Sequence, residues 1–329
     1  MMNKKYDVVA LGEVLIDFTF SGCNSDGKKV FEENPGGAPA NCVGALCKLG
    51  GKGALIAMTG DDSFGDDIRK SLSEINVDVS QIQHCDYQHT TLAFVTLDDD
   101  GERHFSFYRN PGADTQIDFD RIDKSYLDGA KILHVGSLSL VEEKSRESTM
   151  KSIVAVKEAN GLVSYDPNWR APLWKSKAVG VEFIKSIFPL TDIVKISDEE
   201  YELLFGDLPF EKGFRELHEK GVSLVLVTMG EKGVVYSFSS MELEKSFSGT
   251  VPGKKVRAVD TTGAGDSFTG GLLYKLTRKE NPLDLEKEEL EDYLRFANSV
   301  AAFCVTKKGA IPALPSMEDI RDDIKDLRH

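Results

Sequence analysis

The chain has 329 residues, of which 41% are hydrophobic and 29% charged, so it can bury a large core as an ordinary globular protein. Its formal net charge of -14 disfavours nucleic acids and anionic membranes as partners. Five cysteines without a C-x-x-C pair favour scattered thiols in a reducing compartment over disulfides or a zinc site. Residues 1–18 do not resemble a signal peptide and no apolar run reaches membrane-spanning length, so we expect a cytoplasmic protein.

Short apolar segments alternate with helical patterns along most of the chain. The segment 6–11 predicts the first strand, and two helices are expected to end near residues 49 and 75. Four later apolar runs, separated by helical patterns, continue the alternation at 131–135, 162–165, 193–196 and 224–227, and the chain is expected to close with helices near 286–306 and 317–327. This order predicts a mostly parallel sheet covered by helices on both faces, with ligands bound beyond the carboxyl ends of the strands.

Two hairpin patterns interrupt the alternation. The first begins at Asp17 and contains a turn rich in Asn, Asp and Gly, and the second places strands 92–97 and 103–109 on either side of a DG-containing turn. About four antiparallel strands are too few to form a core of their own, so we expect them to cover the main body as a lid. The sequence therefore predicts one domain over residues 1–329, with a β lid formed by about 14–34 and 88–112.

The segment Asp260-Thr-Thr-Gly-Ala-Gly-Asp266 precedes a stretch with helical periodicity. Backbone N–H groups at a helix start lack intrahelical acceptors and attract anions, and the missing side chains of Gly263 and Gly265 allow an anion to approach closely. Asp266 places a carboxylate beside that anion site. Phosphoryl transfer to a hydroxyl needs such a cradle and such a base, although an ordinary helix start would explain these seven residues equally well.

A second glycine-rich turn, Gly36-Gly-Ala-Pro-Ala-Asn41, lies near the front of the chain. Its paired glycines expose backbone N–H groups, and Asn41 offers both a donor and an acceptor to a polyol. Asp17, beyond the first strand, suits the binding of two sugar hydroxyls. Taken singly, a glycine-rich turn and a surface aspartate are the commoner explanations. No G-x-x-x-x-G-K-[ST] motif and no G-x-G-x-x-G after a strand occur in the sequence, which disfavours P-loop enzymes and dehydrogenases.

Together, the motifs at 36–41 and 260–266 resemble the two signatures of the ribokinase-like (PfkB) carbohydrate kinase family, and the resemblance covers nearly the whole chain. The segments most similar to the fructokinase members of that family are 12–17, 107–114, 165–174 and 310–315. The resemblance implies a ribokinase-like three-layer α/β/α fold with a mostly parallel central sheet and a small antiparallel lid. The implied reaction is the ATP-dependent phosphorylation of D-fructose at its 6-hydroxyl.

The resemblance also implies roles for individual residues. Asp266 is expected to be the catalytic base, and the backbone of Gly263, Ala264 and Gly265 to form the anion hole. Arg170 is expected to bind the transferring oxygens. Sugar contacts are implied for Asp17, Gly36, Gly37, Asn41, Phe107 and Arg109. Nucleotide contacts are implied for Asn168, Lys195, Thr228, Gly230, Gly233 and Asn298.

Metal ions and a partner subunit are expected on the same basis. Mg²⁺ must neutralise the phosphates of ATP, and the family's Asn-x-x-Glu motif appears here as Ser197-Asp-Glu-Glu200, so Glu200 is expected to hold Mg²⁺, through water if not directly. Asp260 and the Thr262 carbonyl match a monovalent-cation site for K⁺. The edge strands of the lid are expected to pair two copies of the chain into a homodimer.

Three alternatives stay open. A kinase of the same fold could act on 2-keto-3-deoxygluconate, whose carboxylate would need a cation such as Arg109 or Arg170. Another sugar or a riboside is the second alternative. The third is a catalytically inactive relative that only binds nucleotide, which the intact Asp266 and its neighbouring glycines disfavour.

Overall fold

The computed structural model describes residues 4–97 and 103–321. The strands in that part of the chain are β1 (Tyr6–Leu11), β2 (Leu15–Cys23), β3 (Lys29–Gly36), β4 (Gly53–Gly60), β5 (Ile82–Cys85), β6 (Thr91–Leu97), β7 (Arg103–Tyr108), β8 (Ala130–Gly136), β9 (Leu162–Asp166), β10 (Ile193–Ser197), β11 (Leu224–Thr228), β12 (Val234–Ser240) and β13 (Lys245–Val251). The α-helices are α1 (Ala38–Lys48), α2 (Ser63–Glu74), α3 (Lys124–Asp128), α4 (Glu143–Glu158), α5 (Lys177–Ile187), α6 (Asp198–Phe205), α7 (Phe210–Glu219), α8 (Ala264–Leu276) and α9 (Lys287–Cys304).

The large sheet has the strand order β13-β12-β11-β10-β9-β8-β1-β4-β5. Its strands are parallel except for β12 and β13, which form antiparallel pairs at one edge. Successive residues of β1 point to opposite faces, so Val8 and Ala10 join one apolar cluster while Val9 and Leu11 join another. The inner strands β1, β4 and β11, which are buried on both faces, are mostly continuous apolar runs. The predicted three-layer α/β/α architecture is confirmed.

The small sheet, with the order β3-β2-β6-β7, differs from the prediction in one respect. Its outer pairs β2–β3 and β6–β7 are antiparallel hairpins, as expected, but the central pair β2–β6 is parallel. The chain between β2 and β6 includes β3, α1, β4, α2 and β5, and such a long crossover can join parallel strands. The edges of the small sheet are therefore β3 and β7, while β2 and β6 are internal.

Two expected features fall outside the described residues. The DG-containing turn predicted between β6 and β7 lies in residues 98–102, and most of the helix expected at 317–327 lies beyond residue 321. Residues 317–320 form a turn. Among the helices that the structure describes, none is long and apolar enough to cross a membrane.

Candidate active site

A cavity of about 950 Å³ lies beyond the carboxyl ends of the parallel strands. Residues that follow β1, β8 and β9 line it, including Glu13, Leu138 and Asn168, and Thr228 lines it from the end of β11. The small sheet contributes Phe107 of β7, together with Leu15 and Asp17 of β2. An open parallel sheet binds its ligands at this edge because the strand-to-helix loops converge there. The position of the cavity agrees with the sequence prediction.

The first turn of α8 forms one wall of the cavity. Gly263 adopts a left-handed conformation with φ 75° at the N-cap of α8, and Ala264, Gly265 and Asp266 follow it into the cavity lining. A Cβ at Gly265 would lie 2.7 Å from Nζ of Lys195, so only glycine lets the ammonium group approach this backbone. The N–H groups of a first helical turn and the positive end of the helix dipole favour an anion at this place.

Asp266 lies in this first turn and is held by Asn41 of α1. The Asn41 side-chain Nδ2 donates a hydrogen bond of 2.8 Å to Oδ2 of Asp266. Burial and, to a smaller extent, the nearby charge of Asp166 raise the pKa of Asp266 to about 6 against the opposing effects of Asn41, Lys195 and Arg170. A carboxylate with this pKa is ionised at neutral pH yet basic enough to accept a proton from a hydroxyl.

A buried ion pair lies behind the α8 turn. Nζ of Lys195 on β10 lies 2.9 Å from Oδ2 of Asp166 at the end of β9. Burial opposes the charge of Lys195, but Asp166, Glu200 and Asp266 together raise its pKa above the ordinary value. The lysine therefore stays protonated and adds a fixed positive charge beside Gly265. The sequence prediction included Lys195 but assigned no role to Asp166, whose only signal was its position just past a strand.

Asp17 and the paired glycines lie together at the small-sheet end of the cavity. A Cβ at Gly36 would lie 2.5 Å from Oδ2 of Asp17, so the first glycine makes room for the carboxylate although it is not itself a lining residue. Gly37 has φ 114° and packs its backbone against the carbonyl of Glu13, where a Cβ would approach to 2.5 Å. Burial raises the pKa of Asp17 to about 7, and Arg170 opposes this effect.

Arg109 forms a buried ion pair next to the cavity lining. Its guanidinium is buried and lies 2.6 Å from Oδ2 of Asp114, and its Nη2 also donates to the carbonyl of Leu138. Asp114 in turn accepts a hydrogen bond from the Thr91 hydroxyl. Arg109 is not among the residues that line the cavity. The sugar contact of Arg109 stays a prediction, and in this structure its guanidinium is bound by the buried carboxylate of Asp114.

Glu13 is a cavity residue to which the sequence analysis assigned no role. It is only 2% exposed, and its Oε1 accepts a hydrogen bond of 3.1 Å from the backbone N–H of Ala38 at the start of α1. Burial raises its pKa to about 7. The available signal was an acidic residue directly after Gly12, at the end of a strand whose residues are all apolar except Asp7.

The opposite end of the cavity carries the predicted nucleotide contacts. Asn168 and Arg170 follow β9, and Asn298 lies on α9 with its Nδ2 donating to the carbonyl of Pro252. Thr228, Gly230 and Gly233 belong to the turn between β11 and β12, which pair as the expected antiparallel hairpin. All six residues predicted to contact the nucleotide, Lys195 included, line the cavity.

The predicted metal-binding residues are already engaged by the backbone. Glu200 accepts N–H bonds from Trp169 at 2.6 Å and from Ser197 at 2.8 Å, and Ser197 caps α6 in return. Serine and asparagine are comparable N-cap residues, so Ser197 can serve as the N-cap in place of the family asparagine. Asp260 accepts bonds from Thr262 and from the Gly309 N–H. Within residues 4–97 and 103–321, no cluster of three or more metal-ligating side chains occurs.

An open α/β sheet with a cavity at its carboxyl edge defines a small-molecule-binding protein of the doubly wound class. Residues 5–317 match the model of the pfkB family carbohydrate kinases, and the chain belongs to that family. It is 43% identical to fructokinase-2 of Zea mays over 96% of this chain and 93% of that protein. It is likewise 43% identical to fructokinase-2 of Solanum lycopersicum, over 95% of this chain and 94% of that protein.

Two solved structures show the same fold. A fructokinase from Xylella fastidiosa with bound ATP superimposes with a TM-score of 0.89 at 30% identity, covering 98% of this chain and 100% of that one. A fructokinase from Vibrio cholerae O395, in a form with fructose, ADP and calcium ion bound, superimposes with a TM-score of 0.85 at 33% identity. That alignment covers 96% of this chain and 98% of the other.

Proposed function

We propose that the protein is an ATP-dependent fructokinase that phosphorylates D-fructose at the 6-hydroxyl, giving fructose 6-phosphate and ADP. The observation that carries the proposal is the position of Asp266, a buried carboxylate held by Asn41 in the first turn of α8. The relatives named as fructokinases extend over nearly the whole chain, and one neighbouring structure contains fructose together with ADP.

In this proposal, each part of the α8 turn has a separate task. Asp266 takes the proton from the hydroxyl as it attacks, while the N–H groups of Gly263, Ala264 and Gly265 stabilise the charge on the transferring phosphoryl group. Lys195, held by Asp166, adds a positive charge next to Gly265. Arg170 lowers the pKa of both Asp17 and Asp266 and thus lies close enough to act on the sugar end and on the moving group.

ATP and a divalent cation belong to the same proposal. The Xylella fructokinase contains ATP and the Vibrio fructokinase contains ADP with calcium, and we propose Mg²⁺ as the working ion because it neutralises the β- and γ-phosphates. Since both oxygens of Glu200 accept backbone N–H bonds, Glu200 would hold the ion through a water molecule. Asp260 and the carbonyl of Thr262 would hold K⁺ near the anion hole, and its charge would complement the phosphates.

We further propose that residues 1–329 form one domain in which the small sheet is a lid. Asp17 on β2 and Phe107 on β7 bring that sheet to the cavity wall. Closure over the sugar would exclude water and so prevent hydrolysis of ATP.

We also propose that the protein is located in the cytoplasm.

We further propose that two copies of the chain form a homodimer through the lid. β3 is an edge of the small sheet, where Val30 is 42% exposed. β6 (Thr91–Leu97) lies inside the small sheet and cannot pair with a second chain. A charge introduced at Val30, on the β3 edge, therefore tests the dimer contact. Sedimentation of Val30→Glu beside the unaltered chain should show dissociation into monomers; an unchanged sedimentation coefficient would exclude the β3 edge as the dimer contact.

A substrate panel tests the proposed activity. ADP release, coupled to pyruvate kinase and lactate dehydrogenase, would be followed with fructose, ribose, 2-keto-3-deoxygluconate and a nucleoside. We expect the highest kcat/KM with fructose. A higher value with one of the other substrates would reassign the enzyme within its family, and no turnover with any of them, despite nucleotide binding, would favour an inactive relative.

A further inference from the structure

Two buried hydrogen-bond acceptors lie at the sugar end of the cavity. Oε2 of Glu13 and Oδ1 of Asn41 have no hydrogen-bond partner among the residues that the structure describes. Both residues line the cavity and both are less than 5% exposed. A buried acceptor without a partner costs free energy, so a pair of them at one end of a cavity indicates a ligand that brings donors.

We infer that Glu13 is a further sugar-binding residue, whose Oε2 accepts a hydrogen bond from a hydroxyl of the substrate, and that this end of the cavity selects neutral polyhydroxyl sugars over anionic ones. The inference rests on the proposed function. It adds Glu13 to the sugar contacts that the sequence resemblance implied, and it names the chemical class of the substrate.

The two oxygens of Glu13 have different surroundings. Oε1 accepts the N–H of Ala38 and so fixes the start of α1, the helix that carries Asn41. Oε2 faces Gly136 at the end of β8, where an added Cβ would lie 3.8 Å away. One oxygen thus binds the backbone of α1, and the other is buried without a hydrogen-bond partner among the described residues. Above its pKa of about 7, the Glu13 carboxylate accepts hydrogen bonds and donates none, so Oε2 then suits a hydroxyl and not the carboxylate of an acidic sugar.

The charges around Glu13 favour a neutral ligand. Three acidic residues, Glu13, Asp17 and Asp266, line the cavity. Arg109 was expected to supply a cation here, but Asp114 at 2.6 Å binds its guanidinium, and the charge of Arg109 partly opposes the rise in the pKa of Glu13. Arg170 would have to offset three carboxylates and also bind a substrate carboxylate. A keto-acid sugar would therefore meet a net negative site, and like charges in a buried cavity repel strongly.

The substitution Glu13→Gln separates the two oxygens. A glutamine keeps an amide oxygen that can accept the Ala38 N–H, and it replaces the other oxygen with an NH₂ donor. The wild type and the variant would be assayed with fructose and with 1-deoxy-, 3-deoxy- and 4-deoxyfructose. In the wild type, we expect one of these analogues to lose about 10- to 100-fold in kcat/KM, the size of effect seen when a buried polar partner is left unpaired.

The inference is tested by whether the effects of Glu13→Gln and of the missing hydroxyl on kcat/KM are additive. In Glu13→Gln that same analogue should match fructose within about threefold, and the loss on fructose should appear mainly in KM, since the contact binds ground state and transition state alike. Discrimination against the keto acid is the ratio of kcat/KM with fructose to kcat/KM with 2-keto-3-deoxygluconate. This ratio should fall at least about fivefold in Glu13→Gln, because the substitution removes the negative charge of Glu13. Glu13→Asp keeps the negative charge, but its shorter side chain moves the carboxylate oxygens away from the sugar. This variant should lose the hydrogen bond to the hydroxyl and should still discriminate against the keto acid.

Two results would overturn the inference. One is additivity, in which every deoxy analogue loses the same factor in wild type and variant; the other is unchanged discrimination against the keto acid. Asp7→Asn serves as the control, because Asp7 is also buried at β1 but pairs with Lys131 at the opposite end of the strand. Wild-type turnover of fructose tests the proposed function separately, and the coupling would be measured with whichever sugar the wild type accepts.

Discussion

Replacement of Asp266 by asparagine is the perturbation that bears most directly on the chemistry. Asparagine has nearly the same shape, and its amide oxygen can still accept the 2.8 Å hydrogen bond from Asn41, so the start of α8 should keep its structure. What is lost is the carboxylate oxygen that we propose takes the proton. General-base catalysis contributes about 10²- to 10⁴-fold, so kcat should fall by that factor, equivalent to about 3–5 kcal/mol in the activation free energy.

The pH dependence gives this prediction a second, independent readout. Burial and Asp166 raise the pKa of Asp266 to about 6, so the wild-type kcat/KM should fall about tenfold per unit as the pH drops below 6 and protonates the base. The Asn variant has no such group, and its residual activity should lack the limb that Asp266 contributes. The KM for sugar should change little, because Asp17 and Asn41 remain in place.

Steady-state ADP release between pH 5 and pH 8.5 is the assay. Asp284→Asn is a matched control, since it removes one carboxylate that is paired with Lys245 on the surface, far from the cavity lining. The control should leave kcat and the pH profile unchanged. Near-normal turnover by Asp266→Asn, or an acid limb that persists unaltered in it, would refute the assignment of Asp266 as the base.

Three further substitutions follow from the packing of the site. Gly265→Ala should lower kcat at least about tenfold in the ADP-release assay, because its Cβ would lie 2.7 Å from Nζ of Lys195 and displace that group. Gly36→Ala should raise the KM for sugar more than that for ATP, since its Cβ would meet Oδ2 of Asp17 at 2.5 Å; equal changes in both KM values would contradict this. Glu13 has a pKa raised to about 7, so the folded wild type loses stability as the pH rises from about 4.5 to 7 and Glu13 ionises. Glu13→Gln does not lose stability in this way. The difference in melting temperature between this variant and the wild type should therefore shift in favour of the variant between pH 4.5 and pH 8. The shift should correspond to at most about 3 kcal/mol in the free energy of unfolding.

The parts of this molecule that the sequence predicted are those encoded by local patterns. Apolar runs such as Leu224–Thr228 are buried on both faces, which gives them a composition that few other elements share. The α8 turn was equally visible, because Gly263 and Gly265 are needed for backbone conformation and close approach, whatever lies around them. The grouping of Asp17 and Asn41 with that turn was implied by the family resemblance, and the structure shows Asn41 in hydrogen-bond contact with Asp266.

The sequence could not predict the long-range pairing of charges. Nothing local distinguishes Arg109, which forms an ion pair with Asp114, from an arginine that reaches into the cavity. The parallel alignment of β2 and β6 likewise depends on the path of the intervening chain rather than on either strand. Glu13 follows β1 and lies against α1 and β8, which meet only in the folded protein. The sequence pattern alone could therefore not show that one of its oxygens is unpaired.

In the proposed reaction, the γ-phosphoryl group of ATP moves at the α8 turn to the 6-hydroxyl of fructose. Proton-coupled ³¹P NMR of the products, with fructose and Mg²⁺-ATP supplied to the wild-type protein, identifies where the phosphoryl group goes. We expect equal amounts of ADP and fructose 6-phosphate. ADP appearing with inorganic phosphate, fructose 1-phosphate, or no phosphorylated sugar would contradict it.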